Sequence, residues 1–176
     1  MKTLTWIPTL FRSAMTENTR TALKWLIFHI AFWVFLLGIA PAAFADEAKA
    51  TAAILKKDGK AHATQFTDAV RVNIRPELRD ELSAIVAAIR HAENGRAGRE
   101  YGILHKKAVG KSYRVQAGWC AATVQKNYDR WVKAGRKGDF ITFLGSRYCP
   151  VGAGNDPNGL NRHWIGNVKR LTAKFN

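Results

Sequence analysis

The stretch "HAENGRAGREYGILH", residues 91–105, is where this chain could do acid–base chemistry. It holds one carboxylate, Glu93, between an apolar run and a cluster of glycines, flanked by His91 and Asn94. A carboxyl group that stays protonated near neutral pH can give its proton to a leaving oxygen. The His91-x-Glu93 spacing also occurs in zinc-dependent deaminases, but that chemistry needs a P-C-x-x-C segment to complete the ligand set. Only Cys149-Pro150 stands here, so the ligand count fails. His62, His105 and His163 have no ligand spacing, and there is no nucleophile elbow or phosphate-binding glycine loop. No metal and no cofactor are expected.

Glu93 must be positioned by the element before it. In "RPELRDELSAIVAAIRHAENG" Pro76 suits a first helical turn, and Glu77, Asp80 and Glu81 complement the positive end of the helix. Asn94-Gly95 is a stop signal. Leu78, Leu82, Ile85, Val86 and Ile89 share one face, and Glu93, four residues on, continues it. An inward carboxylate at a helix C-terminus is desolvated and feels the negative helix end; both raise its pKa. The competing reading is a half-buried carboxylate paired with Arg90, Arg96 or Arg99, which would lower it.

Downstream, "RAGREYGILHKKAVGKSYRVQ", residues 96–116, reads as loops with short extended pieces, irregular or bearing a short β-hairpin. A second helix covers "QAGWCAATVQKNYDRWVKAG", with Trp119, Ala122, Val124, Tyr128 and Trp131 as its packed side. "GDFITFLGSRY" is a shorter helix with Asp139 near its start, and "CPVGAGNDPNGL" is turn-rich. "NRHWIGNVKRLTAKF" is a last helix with Trp164, Val168 and Leu171 inward. Upstream, the Ala/Lys-rich residues 46–75 read as a linker or lead-in, with "FTDAVRVNI" as a short strand or extended piece. The fold class expected is mainly α, a small helical domain over residues 76–176 with an irregular or short β-hairpin segment after its first long helix.

The first 45 residues have another logic. A basic start is followed by an apolar run from Trp25 and by Ala43-Phe44-Ala45, the order of a secretory signal peptide. An uncleaved membrane anchor is the alternative. Cleavage would leave 131 residues, enough for one core. Four of the 28 basic residues and one of the 13 acids precede the cleavage point, leaving a net charge of +12. Such a surface wants a polyanion, and export makes a bacterial envelope polymer a better match than nucleic acid. The tryptophans sit at helical spacing among aliphatics and do not interleave with Lys/Arg as in nucleic-acid surfaces. Cys120 and Cys149, an even pair in an exported chain, could form one disulfide or stay as two buried thiols.

The order of features, "AENG", "EYGILH", "AGWCAATVQKNY" and "RYCPVGAGNDPNGLNRHWIGNV", resembles the lysozyme-like superfamily. The likeness is to peptidoglycan lytic transglycosylases and family 73 β-N-acetylglucosaminidases, over about residues 77–172. Glu93-Asn94-Gly95 stands where that family ends a helix with its acid, with Asn94 in place of the common Ser. Tyr101-Gly102-Ile103-Leu104 stands at the cleft segment. Tyr148 with Asp156-Pro157 stands at the third motif, interrupted by "CPVGAGN". The resemblance implies an exported enzyme, periplasmic or extracellular, that cuts the β-1,4 bonds of bacterial peptidoglycan as a monomer, with Glu93 and Tyr148 catalytic. It implies that Asn94, Gly102, Ile103 and Trp119 bind the glycan. Glu100 and Asp156 are the only nearby candidates for a second carboxylate, Glu100 reading more readily as a loop surface residue. A catalytically inactive lysozyme-like module that binds cell-wall glycan is the alternative, and a basic envelope protein acting through charge alone is a third reading.

Overall fold

The structure, a computed structural model, describes Trp25, residues 45–93 and residues 95–176. Six α-helices occur among the described residues from 45 on: α1 (Ala45–Asp58), α2 (Lys60–Asn73), α3 (Arg79–Glu93), α4 (Tyr113–Lys133), α5 (Phe140–Tyr148) and α6 (Trp164–Phe175). Two 3-10 turns, Pro76–Leu78 and Leu160–His163, lead into α3 and α6. The signal-peptide reading of residues 1–45 falls almost wholly outside the described residues. Among the described residues no helix is long and apolar enough to cross a membrane.

Helix α3 is the axis of the core. Of the expected stripe, Leu78 is half-buried in the 3-10 turn and Leu82, Ile85, Val86 and Ile89 are buried, but so is every other residue from Leu82 to Arg90. Ser83, Ala84, Ala87 and Ala88 fill the remaining faces and are small enough for neighbouring helices to close over them. Helices α1, α4 and α6 pack on α3, while α2 packs chiefly on α4. A helix apolar around most of its circumference is one that is enclosed.

Two expectations are corrected. Residues 46–75 are not a linker: α1 and α2 bury Ala50, Ile54, Phe66 and Val70 at full depth, and "FTDAVRVNI" is the second half of α2, not a strand. The apolar positions are sparse but fall three and four residues apart, and Ala and Lys are good helix formers. Nor is there a β-hairpin after α3, and no strand occurs among the described residues. Residues 95–112 form a folded loop whose Gly110 N–H donates to the Gly98 carbonyl at 2.9 Å. The Gln116 amide, fully buried, donates to the carbonyls of Gly98, at 2.7 Å, and of Ala108. A side chain from α4 thus satisfies backbone groups that a ladder would otherwise pair.

Helix α4 starts at Tyr113, earlier than expected, and its buried side runs Tyr113, Ala117, Cys120, Ala121, Val124 and Tyr128; Ala122 is exposed. Asp139 caps α5, accepting from the Thr142 backbone N–H at 3.1 Å. Trp164 and Val168 face inward from α6 and Leu171 is half-buried, as the spacing predicts.

Candidate active site

Glu93 is the last residue of α3, held from two sides. Trp164, which opens α6, donates its indole N–H to Glu93 Oε1 at 2.8 Å. The indole gets there because α5 and α6 cross closely at Gly145. A Cβ at that position would overlap Ile165 Cγ1 and crowd the Trp164 ring. Tyr148, at the end of α5, stacks on Trp164 with ring centroids 5.4 Å apart and planes 23° from parallel. From the other side comes Gly102, whose φ of 66° lies in the left-handed region. A Cβ there would overlap Glu93 Oε2. The loop backbone can lie against the carboxyl group only because residue 102 has no side chain.

No ion pair reaches Glu93 among the described residues. Arg90, the nearest cation in sequence, is turned away. Its guanidinium binds Asp58 at the end of α1 through both oxygens, at 2.7 and 2.8 Å, and donates to the Glu100 carbonyl at 3.3 Å. Arg96 and Arg99 are exposed. Burial therefore raises the Glu93 carboxyl above its ordinary value, and the Trp164 hydrogen bond, which favours the charged form, offsets only part of it.

The loop that carries Gly102 is anchored by a buried chain of polar groups. Tyr113 donates to Asp58 at 3.0 Å, Tyr101 donates to Tyr113 at 3.0 Å, and Tyr148 donates to the Tyr101 carbonyl at 2.6 Å. Asp58, Arg90, Tyr113, Tyr101 and Tyr148 thus link four helices to the loop beside Glu93.

Two depressions meet at Glu93. One, of about 600 Å³, is bordered by Gly102, Ile103, Trp119, Arg147 and Tyr148. The other, of about 620 Å³, is bordered by Leu160, His163, Trp164 and Asn167. Glu93, Cys149 and Asn161 belong to both. A third hollow of about 380 Å³, bordered by Asn73, Val115 and Gly118, adjoins the first at Trp119. Each is within the usual range for a small-ligand site, and Glu93 stands where the two larger ones join.

The structure brings Glu93, Gly102, Ile103, Trp119 and Tyr148 to one groove; Asn94 is outside the described residues. Tyr148 does not turn its hydroxyl to Glu93. That hydroxyl serves the Tyr101 carbonyl and lies 3.5 Å from Cys120 Sγ, so Tyr148 reaches Glu93 through the Trp164 ring it stacks on. His91 packs on Phe175 and the Ala53 carbonyl, not in the groove. Glu100 is buried, not a surface residue, and its Oε2 has no hydrogen-bond partner. Asp156 is buried too, accepting from the backbone N–H groups of Gly152 and Asn161 at 3.3 and 3.2 Å, and so pins its turn. Both cysteines are free. Burial pushes the Cys120 thiol up to about 12 and the Cys149 thiol up to about 11.

Sequence reasoning missed Arg147, Asn161 and the Asp58–Arg90–Tyr113 anchor, and saw Trp164 only as core. The one available signal was "LNRHW", a polar run ending in Trp at the head of an amphipathic helix. No known protein family, curated protein or solved structure matches this chain.

Proposed function

We propose that the protein is an exported peptidoglycan-cleaving enzyme of the lysozyme-like kind, with Glu93 as its general acid. The observation that carries the reading is a carboxyl group without a cation, raised in pKa by burial, at the junction of two sugar-sized depressions. Oε1 accepts from Trp164, which leaves Oε2, beside Gly102, as the oxygen that carries the proton. A glycan strand lying across Glu93 would present its bridging oxygen to that proton, and the bond from the anomeric carbon to this oxygen would break.

Among the described residues bordering the two depressions, Glu93 is the only carboxylate. Two-carboxylate hydrolysis needs a partner about 5–9.5 Å away across the scissile bond. This favours lytic cleavage over hydrolysis. In that route the C6 hydroxyl of the muramyl sugar attacks its own anomeric carbon and returns its proton to the Glu93 carboxylate. An anhydro end forms, no water is consumed and the acid is restored.

The test is Glu93→Gln, which keeps the shape and an acceptor for Trp164 but has no proton to give. Release of fragments from purified peptidoglycan should fall by about 10²–10⁴-fold, while co-sedimentation with the insoluble wall persists. Products of the wild type should be lighter than reducing-end fragments by one water. A wild type that binds the wall and releases nothing would leave the non-cutting glycan-binding module as the better reading.

A further inference from the structure

The two segments that wall the groove on either side of Glu93 have an unusual charge arrangement. Residues 95–112 supply Gly102, Ile103, Leu104 and His105 to the lining and carry exposed Arg96, Arg99, Lys106, Lys107 and Lys111. The only acid of that segment, Glu100, is buried. Residues 147–163 supply Tyr148, Cys149 and Asn161 and carry exposed Arg147 and Arg162. Their only acid, Asp156, is buried against backbone N–H groups. Every charged side chain that these walls expose is therefore a cation. The ion pairs Lys49–Asp46, Arg71–Glu47, Arg75–Glu77, Arg75–Asp129, Arg90–Asp58 and Lys169–Asp139 lie elsewhere, on α1–α4 with the turn before α3 and between α6 and the N-cap of α5. None of the exposed wall cations takes part in those ion pairs.

Arg147 is the wall cation that borders the groove itself. Its guanidinium lies over the Phe143 ring, 4.5 Å from the centroid. A guanidinium held over a ring is restrained and can still offer N–H groups to a planar two-oxygen acceptor, a carboxylate above all. Base stacking on a nucleic acid would need aromatic faces free for it. Here Trp119 is stacked on His105 at 4.6 Å, and Tyr148 and Trp164 on each other.

We propose that the groove selects glycan strands by the free carboxylates of their side substituents, the peptide stems, with Arg147 as the residue that reads them. The inference rests on the function proposed above and adds to it. The wall polymer is recognised by its substituents' charge as well as by its sugar backbone, and neutral strands of the same sugars are poor ligands.

The experiment compares two preparations of one sacculus stripped of attached polymers: one native, one with its carboxylates converted to amides by carbodiimide and excess ammonium. Fragment release by the wild type, Arg147→Gln and Lys56→Gln is followed on both, at low and at high salt. Sedimentation of Glu93→Gln with both preparations is measured alongside. Wild-type kcat/KM should be about tenfold higher on the native wall at low salt, converging at high salt. Arg147→Gln should narrow that ratio about three- to fivefold. Lys56→Gln, which removes the same charge from an exposed site on α1, should keep it. Equal wild-type rates on the two walls, or an unchanged ratio in Arg147→Gln, overturns the proposal and leaves the enzyme reading standing. No release from either wall removes the enzyme reading, and Glu93→Gln sedimentation then decides the selectivity by itself. Tighter binding to a random-sequence DNA duplex than to the native wall would overturn the selection of wall carboxylates in favour of a nucleic-acid surface.

Discussion

Replacing Gly102 by alanine tests the contact on which the site's geometry depends. The new methyl group has two separate consequences. The backbone at 102 has a φ of 66°, so any L side chain there carries the left-handed penalty, about 1–2 kcal/mol. The Cβ would also overlap the Glu93 carboxyl group, and one of the two must move. Overpacking of this kind costs about 1–3 kcal/mol. Together they predict a loss of about 2–5 kcal/mol, or on the order of 4 °C in Tm for each kcal/mol in a domain of this size. The two contributions separate in a double-mutant cycle. In a Glu93→Ala background the overlap disappears and only the backbone penalty remains, so Gly102→Ala should there cost about 1–2 kcal/mol. Urea denaturation of the four proteins measures the difference directly. A cost equal in both backgrounds would mean that the methyl never meets Glu93, and a neutral substitution would refute the backbone argument as well.

Two further outcomes follow from the groups around Glu93. Asp58→Ala leaves the Arg90 guanidinium enclosed with only the Glu100 carbonyl and leaves Tyr113 without its acceptor, so stability should fall by about 3–5 kcal/mol in chemical denaturation; a loss under about 1 kcal/mol would mean the pair is solvated. Glu93→Gln should stabilise the fold in a pH-dependent way. The wild-type carboxyl has a folded-state pKa above its ordinary 4.5, so the folded state holds its proton more tightly than the unfolded chain, and wild-type stability declines as pH rises from 4.5 through the folded value. Glutamine has no such decline, so denaturation curves should coincide in relative stability below that window and separate above it; a difference independent of pH would show that the carboxyl is not raised.

Local signals carried much of this fold, and their failures have a common cause. Helix α3 and its end at Glu93 were readable because apolar spacing, acids in the first turn and a terminal glycine all act within one helix. The Asp139 cap was readable for the same reason. Helices α1 and α2 were not, because their core contacts are few per turn and become an apolar face only when α3 and α4 lie against them. The third motif was readable as residues but not as contacts. Tyr148 comes to the groove, yet its hydroxyl is taken by a backbone carbonyl 47 positions away, and the hydrogen bond to Glu93 falls to a tryptophan 71 positions away.

The consequence for the chemistry is specific. Where Arg90 points bears on Glu93, since a guanidinium beside it would lower the pKa that burial raises. Arg90 has one strong competitor for its charge, Asp58, which lies 32 residues upstream at the end of a helix that composition reads as a linker. By accepting from Nε and Nη2 of that guanidinium, Asp58 holds the cation at the end of α1 and away from Glu93. The cation nearest in sequence to the candidate catalytic group is thus held elsewhere by a residue at the end of α1, and the segment before α3 packs into the same core as Glu93's helix.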